Sequence, residues 1–516
     1  MKYMVIFAGM NGNNYLLHIS SFLTALLLCG LTNAQPGWKV DWNADLYMNG
    51  GTGDYLPFWQ RTGYDGIMPY TSAAILSAGA EFRYESVNGI RMDAGANLVG
   101  QAITAGPWNS RGVKGFVDRL YISGSWKMLH LDIGMKPRIR EFGDLSVTGG
   151  NIVFTGNARN MPGINAWSDW IYFEKGHWFG VRGNFAHYQT LDNRYVRGTM
   201  IHNKSLAFKV ALGRKVDFEA GLDHWAQWGG YEPLLGQRPS TFKDYLRVIL
   251  GRRGGADAVI YDQLNALGNH LGREYLRLTW RSSVFTMNLQ YDMPFDDGAQ
   301  IIKTNPMPDG VYTLKFAFND RDALVTDLVY EFIHTTWQGG DSHSRPATEE
   351  EMTSEYEDYV YWQDPEHLYY GQIILGGCDD YHNNIEYQSG WTYFGRAIGL
   401  PLMIPFAPDD KGITMGMVCN RIRGHHIGIG GVLCSVPYSF KATYTSNWGR
   451  ISNPEGSIFA SRPKQLSLAL EVELGEQVTN IPLTFAIGAY GDFGKVYRNS
   501  AGLSLRVLYG GSFRRP

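Results

Sequence analysis

Cysteine is scarce in this sequence, and neither sign of charge is in large excess. Only four of the 516 residues are cysteine, too few to staple a chain of this length with disulfides. The sequence does not decide whether one disulfide forms among Cys378, Cys419 and Cys434; Cys378–Cys419 is one candidate pair. The 46 basic and 49 acidic residues give a net charge of −3 without a basic stripe. We therefore expect no nucleic-acid partner.

The sequence also lacks the local motifs of the common enzyme classes. It contains no Walker loop, HExxH helix, GxSxG elbow or CxxC pair. His425 and His426 are adjacent in an alternating segment, so they point to opposite faces and do not form a metal pair. The acidic run at 349–351 is compatible with calcium, but a solvated loop helix explains it as well. We expect no enzymatic activity, no metal and no cofactor; a hydrolase built on Asp380 and His382 would rest only on their closeness in sequence.

Long apolar runs are missing beyond residue 34, where no uninterrupted stretch reaches the roughly 18 residues that a membrane helix needs. A membrane location would then require a β-barrel. The apolar run Ser21–Leu31, followed by Thr32-Asn33-Ala34, predicts a signal peptide over residues 1–34, cleaved before Gln35. Met10 is an alternative start, and lipidation at Cys29 is less favoured because bulky Leu28 precedes it.

Alternation of apolar and polar residues is the dominant pattern beyond the signal peptide. It runs through Ile90–Leu98, Leu129–Met135, Leu466–Leu474 and Leu503–Tyr509, and it places the two kinds of side chain on opposite faces of a strand. The longer runs match a tilted membrane strand of about 9–11 residues. The sequence is also rich in glycine, with 62 residues, and in aromatic side chains, at 14%.

The connections between the candidate strands alternate between short and long, and 18 strands are counted. This predicts an all-β fold over residues 35–516: an 18-stranded antiparallel transmembrane β-barrel with long extracellular loops and short periplasmic turns, in the outer membrane of a Gram-negative bacterium. Aromatic residues near the turn ends, such as Trp126 and Trp178, fit an interfacial girdle. A soluble β-sandwich or propeller is the competing interpretation. The last strand is predicted to close near Tyr509, and loop helices are predicted at Thr241–Arg252 and Ala347–Tyr359.

The long loops combine aromatic, amide and carboxylate side chains, which is a set compatible with carbohydrate binding. Several loop segments also resemble the capsule-assembly Wzi family of outer-membrane proteins, in particular its Bacteroidetes branch. The matching segments are Thr148–Trp167, Gly221–Gly230, Gly268–Gly272, Leu328–Thr335, Asp379–Leu402, Asn420–Gly431, Thr443–Gly449 and Asp492–Leu503. The resemblance implies an 18-stranded barrel with a non-enzymatic, lectin-like role: binding capsular polysaccharide and organising its attachment at the cell surface. The periplasmic helical bundle of enterobacterial members is not expected in full, because the links on that side are short.

We hypothesise that the outer loops present an acidic, aromatic and amide surface to the polysaccharide. The residues predicted to bind it are Asn157, Arg159, Asp380, Tyr387, Trp391 and Arg396, with loop packing as the alternative role. Gly229, Gly230 and Gly395 are expected to shape turns. Besides polysaccharide, the expected partners are outer-membrane lipid and the barrel-insertion machinery, and the chain is expected to be a monomer. The rival function is an outer-membrane channel for sugars or other small solutes.

Overall fold

The computed structural model describes residues 37–515 except 87, 105–111, 175, 256, 260–261, 264, 297–308, 342, 354–361 and 367. The predicted signal peptide at 1–34 lies outside the described residues. Where the structure describes the chain, antiparallel strands form one large sheet, and no described helix is long and apolar enough to cross a membrane.

The large sheet closes on itself as a barrel of 18 strands, which confirms the predicted fold. The sixth strand is split into two short segments that both pair with the seventh, and the first strand pairs with the last from Trp38–Arg515 to Gly51–Gly502. The strands are β1 Gly37–Gly51, β2 Ala73–Glu85, β3 Ile90–Ile103, β4 Gly112–Trp126, β5 Leu129–Met135, β6 Gly163–Ser168 with Ile171–Tyr172, β7 Phe179–Gln189, β8 Met200–Leu212, β9 Val216–Trp228, β10 Asn269–Arg281, β11 Phe285–Phe295, β12 Gly310–Phe318, β13 Asp327–His334, β14 Arg421–Leu433, β15 Val436–Gly449, β16 Lys464–Leu474, β17 Thr484–Gly494 and β18 Ser500–Arg515.

The two faces of the sheet have the polarity of a membrane barrel rather than of a soluble sandwich. On β3, Leu98 is 63% exposed on the outer wall, whereas its neighbour Asn97 is 6% exposed in the lumen. The same inversion holds on β5, where Leu131 and Ile133 are exposed and Asp132 is buried. A soluble β-protein buries its apolar face. Here the apolar face points outward, where only lipid covers it.

The connections fall into two groups at opposite ends of the barrel. Both ends of the described chain and the short turns share one end, where Trp126 and Trp178 are exposed next to the turns. The nine connections at the other end are named L1 (52–72), L2 (104–111), L3 (136–162), L4 (190–199), L5 (229–268), L6 (296–309), L7 (335–420), L8 (450–463) and L9 (495–499). The long connections that the sequence predicted all lie at this end. L9 differs from the others in that it is short, with five residues between the last two strands.

The structure corrects the end of the last strand and confirms the loop helices. β18 does not close near Tyr509: it continues to Arg515, and Phe513 pairs with Val40 as an exposed residue of the outer wall. The predicted helix at Thr241–Arg252 is Phe242–Leu250, and the second prediction is met by Glu349–Thr353, which has no buried residue. The rest of that second prediction, 354–359, lies outside the described residues. Two further short helices are Phe58–Arg61 in L1 and Glu476–Thr479 in a turn, and a 3₁₀ helix, Ile458–Ser461, lies in L8.

Candidate functional site

L3 crosses the inside of the barrel from one wall to the opposite one. It leaves β5, yet the carbonyl of Leu145 accepts a hydrogen bond from His426 Nε2 on β14 at 2.7 Å, nine strands around the ring. Glu331 on β13 accepts hydrogen bonds from Ser146 Oγ at 2.7 Å and from the Val147 amide at 2.6 Å. These partners satisfy polar groups of an irregular segment that is removed from water.

Charged side chains of the lumen wall hold both ends of this crossing segment. Glu141 forms ion pairs with Arg182 at 2.9 Å and Arg277 at 2.5 Å. Farther along, Arg273 donates to the carbonyl of Gly150 at 2.7 Å and pairs with Asp292 at 3.0 Å. The same Asp292 accepts the amide of Ile152 at 2.9 Å. L3 is therefore anchored to the wall inside the lumen and is not a loop that only covers the barrel end.

L1 and L7 complete the filling of the lumen. In L1, the Phe58 amide donates to Asp492 at 2.9 Å, Trp59 Nε1 to Thr443 at 3.0 Å and Tyr64 Oη to Glu471 at 2.9 Å. L7 lies against L3, because Trp391 Nε1 donates to the carbonyl of Val153 at 2.7 Å. Apolar side chains of the three loops pack together with wall residues in one buried cluster. L1, L3 and L7 are called the inner loops below.

A cavity of about 1500 Å³ remains at the outer end, between the inner loops, L8, L9 and the ends of β3 and β4. It is called the outer cavity. Seven aromatic residues from four loops line it, among them Tyr55, Tyr70, Phe394 and Tyr497. A second cavity of about 240 Å³ lies deeper, between L1, L3 and the wall, and is lined by charged side chains of both signs such as Arg119, Arg140 and Glu471.

Three arginines of the outer cavity, Arg61, Arg159 and Arg396, are called the arginine cluster. Arg396 is buried and donates to the carbonyl of Arg61 at 2.9 Å and to that of Met68. The guanidiniums of Arg61 and Arg396 lie 5.0 Å and 4.5 Å from the centre of the Tyr70 ring. Within the described part of the chain, none of the three forms an ion pair with a carboxylate.

Arg159 lies against two aromatic rings. Its guanidinium lies 3.6 Å from the centre of the Phe116 ring and 4.4 Å from that of Phe394, and its buried Nε has no hydrogen-bond partner among the described residues. Burial lowers the pKa of Arg159 to about 10, so the side chain stays charged at neutral pH. Burial also lowers the pKa of Arg396. Both cations would be stabilised by an anion in the cavity.

Carboxylates of the outer cavity lie at exposed positions. Asp54 faces Arg498 at 3.5 Å, and Asp409 accepts hydrogen bonds from amides of its own loop. Asp410 is exposed next to it. The acidic surface expected from the loop sequences therefore does not describe this cavity, whose buried charges are positive.

The structure separates the six predicted binding residues into two groups. Asn157, Arg159 and Arg396 line the outer cavity together. Tyr387 is buried and its hydroxyl donates to the carbonyl of Gly229, so it packs L7 against L5, whereas Trp391 is 0% exposed and packs the inner loops. Asp380 pairs with Arg450 and accepts Asn420 Nδ2 at 2.6 Å. These last three present no free ring face or carboxylate to a ligand here.

Arg61, Tyr70 and Tyr497 were missed by the sequence analysis. Tyr497 lies in one of the segments that resemble the Wzi family, but no local pattern links it with residues more than 400 positions earlier. The signal that could have found these residues is topological, because all long connections meet at one barrel end. At the meeting point Gly66 has φ +67°, and a Cβ there would lie 2.7 Å from the Arg159 amide nitrogen. Only glycine permits so close an approach of L1 to L3.

The structure also bears on the expectations for individual glycine, histidine and cysteine residues. Gly229, Gly230 and Gly395 have positive φ, as expected for turns. His426 is buried in the lumen while His425 faces outward, and the three described cysteines are free. Among the described residues no group of His, Cys, Asp or Glu is arranged to hold a metal ion.

A pH effect is expected at His382 of L7. The side chain is buried with no hydrogen-bond partner for either ring nitrogen among the described residues, and burial lowers the pKa of His382 to about 3. Below pH 6.5 the His382 imidazole binds a proton when L7 is opened but not when L7 is packed. The free energy that favours the packed loop therefore decreases as pH falls from 6.5 toward 3. Between pH 7 and pH 5 the expected loss is about 2 kcal/mol relative to His382→Asn.

Hydrogen exchange of the L7 amides at the two pH values measures this difference. The comparison with His382→Asn is needed because burial raises the pKa of Glu386 in the same loop to about 8, which acts in the opposite direction. Asn suits the position, where φ is +67°. An identical pH dependence in both chains would contradict the prediction.

No protein-family model matches this sequence, and no curated protein matches it. Wzi, an outer membrane protein involved in group 1 capsule assembly in Escherichia coli and a carbohydrate-binding β-barrel, has a similar fold: 11% identity, 95% of this chain and 88% of that chain covered, TM-score 0.50. Pseudomonas aeruginosa OccK5 (OpdH) is 8% identical over 92% of this chain and 98% of its own, with a TM-score of 0.45. P. aeruginosa OpdK with vanillate is 11% identical over 92% and 99%, with a TM-score of 0.46. The resemblance to Wzi is thus confirmed for the fold, while membership of the Bacteroidetes branch stays a prediction. The chain is a β-barrel of the outer-membrane type.

Proposed function

We propose that this barrel binds an acidic capsular or other surface polysaccharide in the outer cavity and holds it at the cell surface without catalysing a reaction. The observation that carries the proposal is the arginine cluster, which places three cations without carboxylate partners among the described residues in a cavity of about 1500 Å³ lined by aromatic rings. The proposed setting is the outer membrane of a Gram-negative bacterium, with export directed by the signal peptide.

The lining of the outer cavity suits a sugar chain. Tyr55, Tyr70, Phe394 and Tyr497 line the cavity with aromatic surface, which suits the C–H surfaces of sugars, and Asn157 and the arginines add polar groups for hydroxyls. An acidic sugar is favoured over a neutral one because Arg396 is a buried cation and Arg159 a half-buried one, and guanidinium binds carboxylate or phosphate in a charge-assisted manner.

Two further observations support this proposal over a solute channel. The inner loops cross and fill the lumen, and their anchors on Glu331, Asp292 and Asp492 are buried. The protein with the similar fold in Escherichia coli is a carbohydrate-binding barrel involved in capsule assembly. A barrel that retains a polymer at its outer end has no need for an open lumen.

Deleting the gene and measuring cell-bound and shed polysaccharide tests the proposed function. We expect the polysaccharide to be produced at its normal level but to be released into the medium, and complementation with the full chain to restore retention. Capsule thickness by microscopy and uronic acid in the medium are the measurements. An unchanged cell-bound layer would overturn the proposal, and large steady currents through the purified barrel would favour a channel instead.

A further inference from the structure

L5 folds back over the outside of the barrel wall. Phe218 and Leu222 are outward-facing residues of β9 that are exposed to the membrane, but Ala226 and Trp228, on the same face nearer the outer end, are buried. They form an apolar cluster with Val248, Ala258 and Leu267 of L5. At this place L5 covers positions that lipid would otherwise cover.

The helix Phe242–Leu250, called the L5 helix, is the main part of this cover. It begins with a capping box between Thr241 and Asp244. Its Tyr245 stacks on Trp228 with ring centres 5.0 Å apart and contacts His202 Nδ1 through its hydroxyl at 3.2 Å. Lys204 of the wall donates to the carbonyl of Ile249, at the end of the helix. The helix is therefore fixed to the outer wall on one side.

The opposite side of the L5 helix is apolar and uncovered. Phe242, Leu246 and Leu250 are 62%, 44% and 61% exposed, and their spacing of four residues puts them on one face. Asp244 and Val248, which are buried against the barrel, lie on the other face. The apolar face therefore points away from the barrel axis, as the lipid-facing residues of the wall do.

We propose that the L5 helix lies in the outer leaflet of the membrane, with Phe242, Leu246 and Leu250 against acyl chains and the exposed Lys243 and Arg252 at the level of the headgroup phosphates. Continuity with the lipid-facing wall supports lipid as the occupant, because the helix sits directly on outward-facing positions of β8 and β9. Charge supports it as well, since an apolar face bordered by cations is the pattern of an interfacial helix on anionic lipid. This inference does not depend on the proposed polysaccharide function.

Spin labelling of the full chain tests the proposal. Leu246→Cys carries a nitroxide in a background with Cys378→Ser and Cys434→Ser, which removes the two exposed thiols. The barrel is placed in phosphatidylcholine vesicles containing lipid A, and heat-modifiable migration confirms folding. We expect the label to collide with oxygen severalfold more than with a water-soluble nickel chelate, because oxygen concentrates in the acyl region.

The matched control is Ile458→Cys in the same background, since Ile458 is also an exposed apolar residue but lines the outer cavity. It should show the reverse preference. The proposal would be overturned if the label at 246 behaved like the one at 458, or if labels at 246 on two barrels showed strong dipolar coupling, which would identify a second copy as the occupant.

Removal of the phosphates from lipid A is expected to weaken the binding of this lipid to the barrel severalfold. The double variant Lys243→Glu with Arg252→Glu is expected to abolish the difference between the two lipids. Equal binding of both lipids by the unaltered chain would overturn the assignment to phosphate.

Discussion

Glu331→Ala is expected to loosen L3 inside the lumen and to raise the conductance of the barrel. The carboxylate accepts hydrogen bonds from Ser146 Oγ, the Val147 amide and Thr148 Oγ1, and each donor left buried without a partner costs about 1–3 kcal/mol. L3 then gains by leaving the wall for water. L1 and L7 stay in the lumen, so single-channel conductance in planar bilayers should rise but remain below that of an 18-stranded barrel without filling loops.

The matched control for this prediction is Glu473→Ala. Glu473 is another carboxylate on a lumen-facing position of the wall, but it is exposed, near the turn end of β16. Its removal should leave the current unchanged. Both variants should migrate as folded barrels on unheated gels. Currents as small in Glu331→Ala as in the unaltered chain would show that L3 is held in the lumen without this anchor.

Arg159→Met is expected to lower the affinity for an acidic glycan by about 10–100-fold. This is the affinity change that corresponds to the loss of one hydrogen bond to a charged group, which contributes about 1.5–3 kcal/mol. Methionine keeps much of the apolar stem against Phe116 and Phe394 but removes the guanidinium whose Nε is unpartnered. The measurement is titration calorimetry with surface polysaccharide of the host strain, before and after its carboxyl groups are reduced to alcohols. The reduced polymer should bind the unaltered chain weakly and should distinguish the variant little.

Arg321→Met provides the control for lost charge alone, because Arg321 lies at the short-turn end and pairs with Asp327. Its affinity should match that of the unaltered chain. Equal affinity of Arg159→Met and the unaltered chain for the native polymer would remove the arginine cluster from the binding site. Equal binding of native and reduced polymer by the unaltered chain would instead remove the preference for acidic sugars.

Much of the barrel could be predicted from the sequence, since a strand with one face in lipid and one in the lumen must alternate. Leu129–Met135 shows this on its own, and the rhythm of the connections gives the strand number. The end of β18 was missed because Gly510 and Gly511 interrupt the alternation. Their backbone groups still pair with Asn43 and Trp42, and pairing does not require a side chain.

The candidate site was predicted only in part, because its members are joined by contacts that no local pattern encodes. Arg159 and Arg396 were recognised from loop motifs, and the structure places them in one cavity. Trp391 and Tyr387 share those motifs, but Trp391 packs against L3 and Tyr387 against L5 instead. Residue type in a loop does not distinguish a ring that faces a ligand from one that faces another loop. That distinction follows from how three loops fill one lumen.

The bond from the Phe58 amide to Asp492 joins residues 434 positions apart, and this has a consequence for biogenesis. L1 is made with the first hairpin, whereas its partners on β15 to β18 are made last. Until those strands arrive, the polar groups of L1 must remain hydrated. Sealing the β1–β18 seam and seating L1 therefore belong to one late event, so that a chain arrested before β17 would expose both a strand edge and an unanchored inner loop to quality-control proteases.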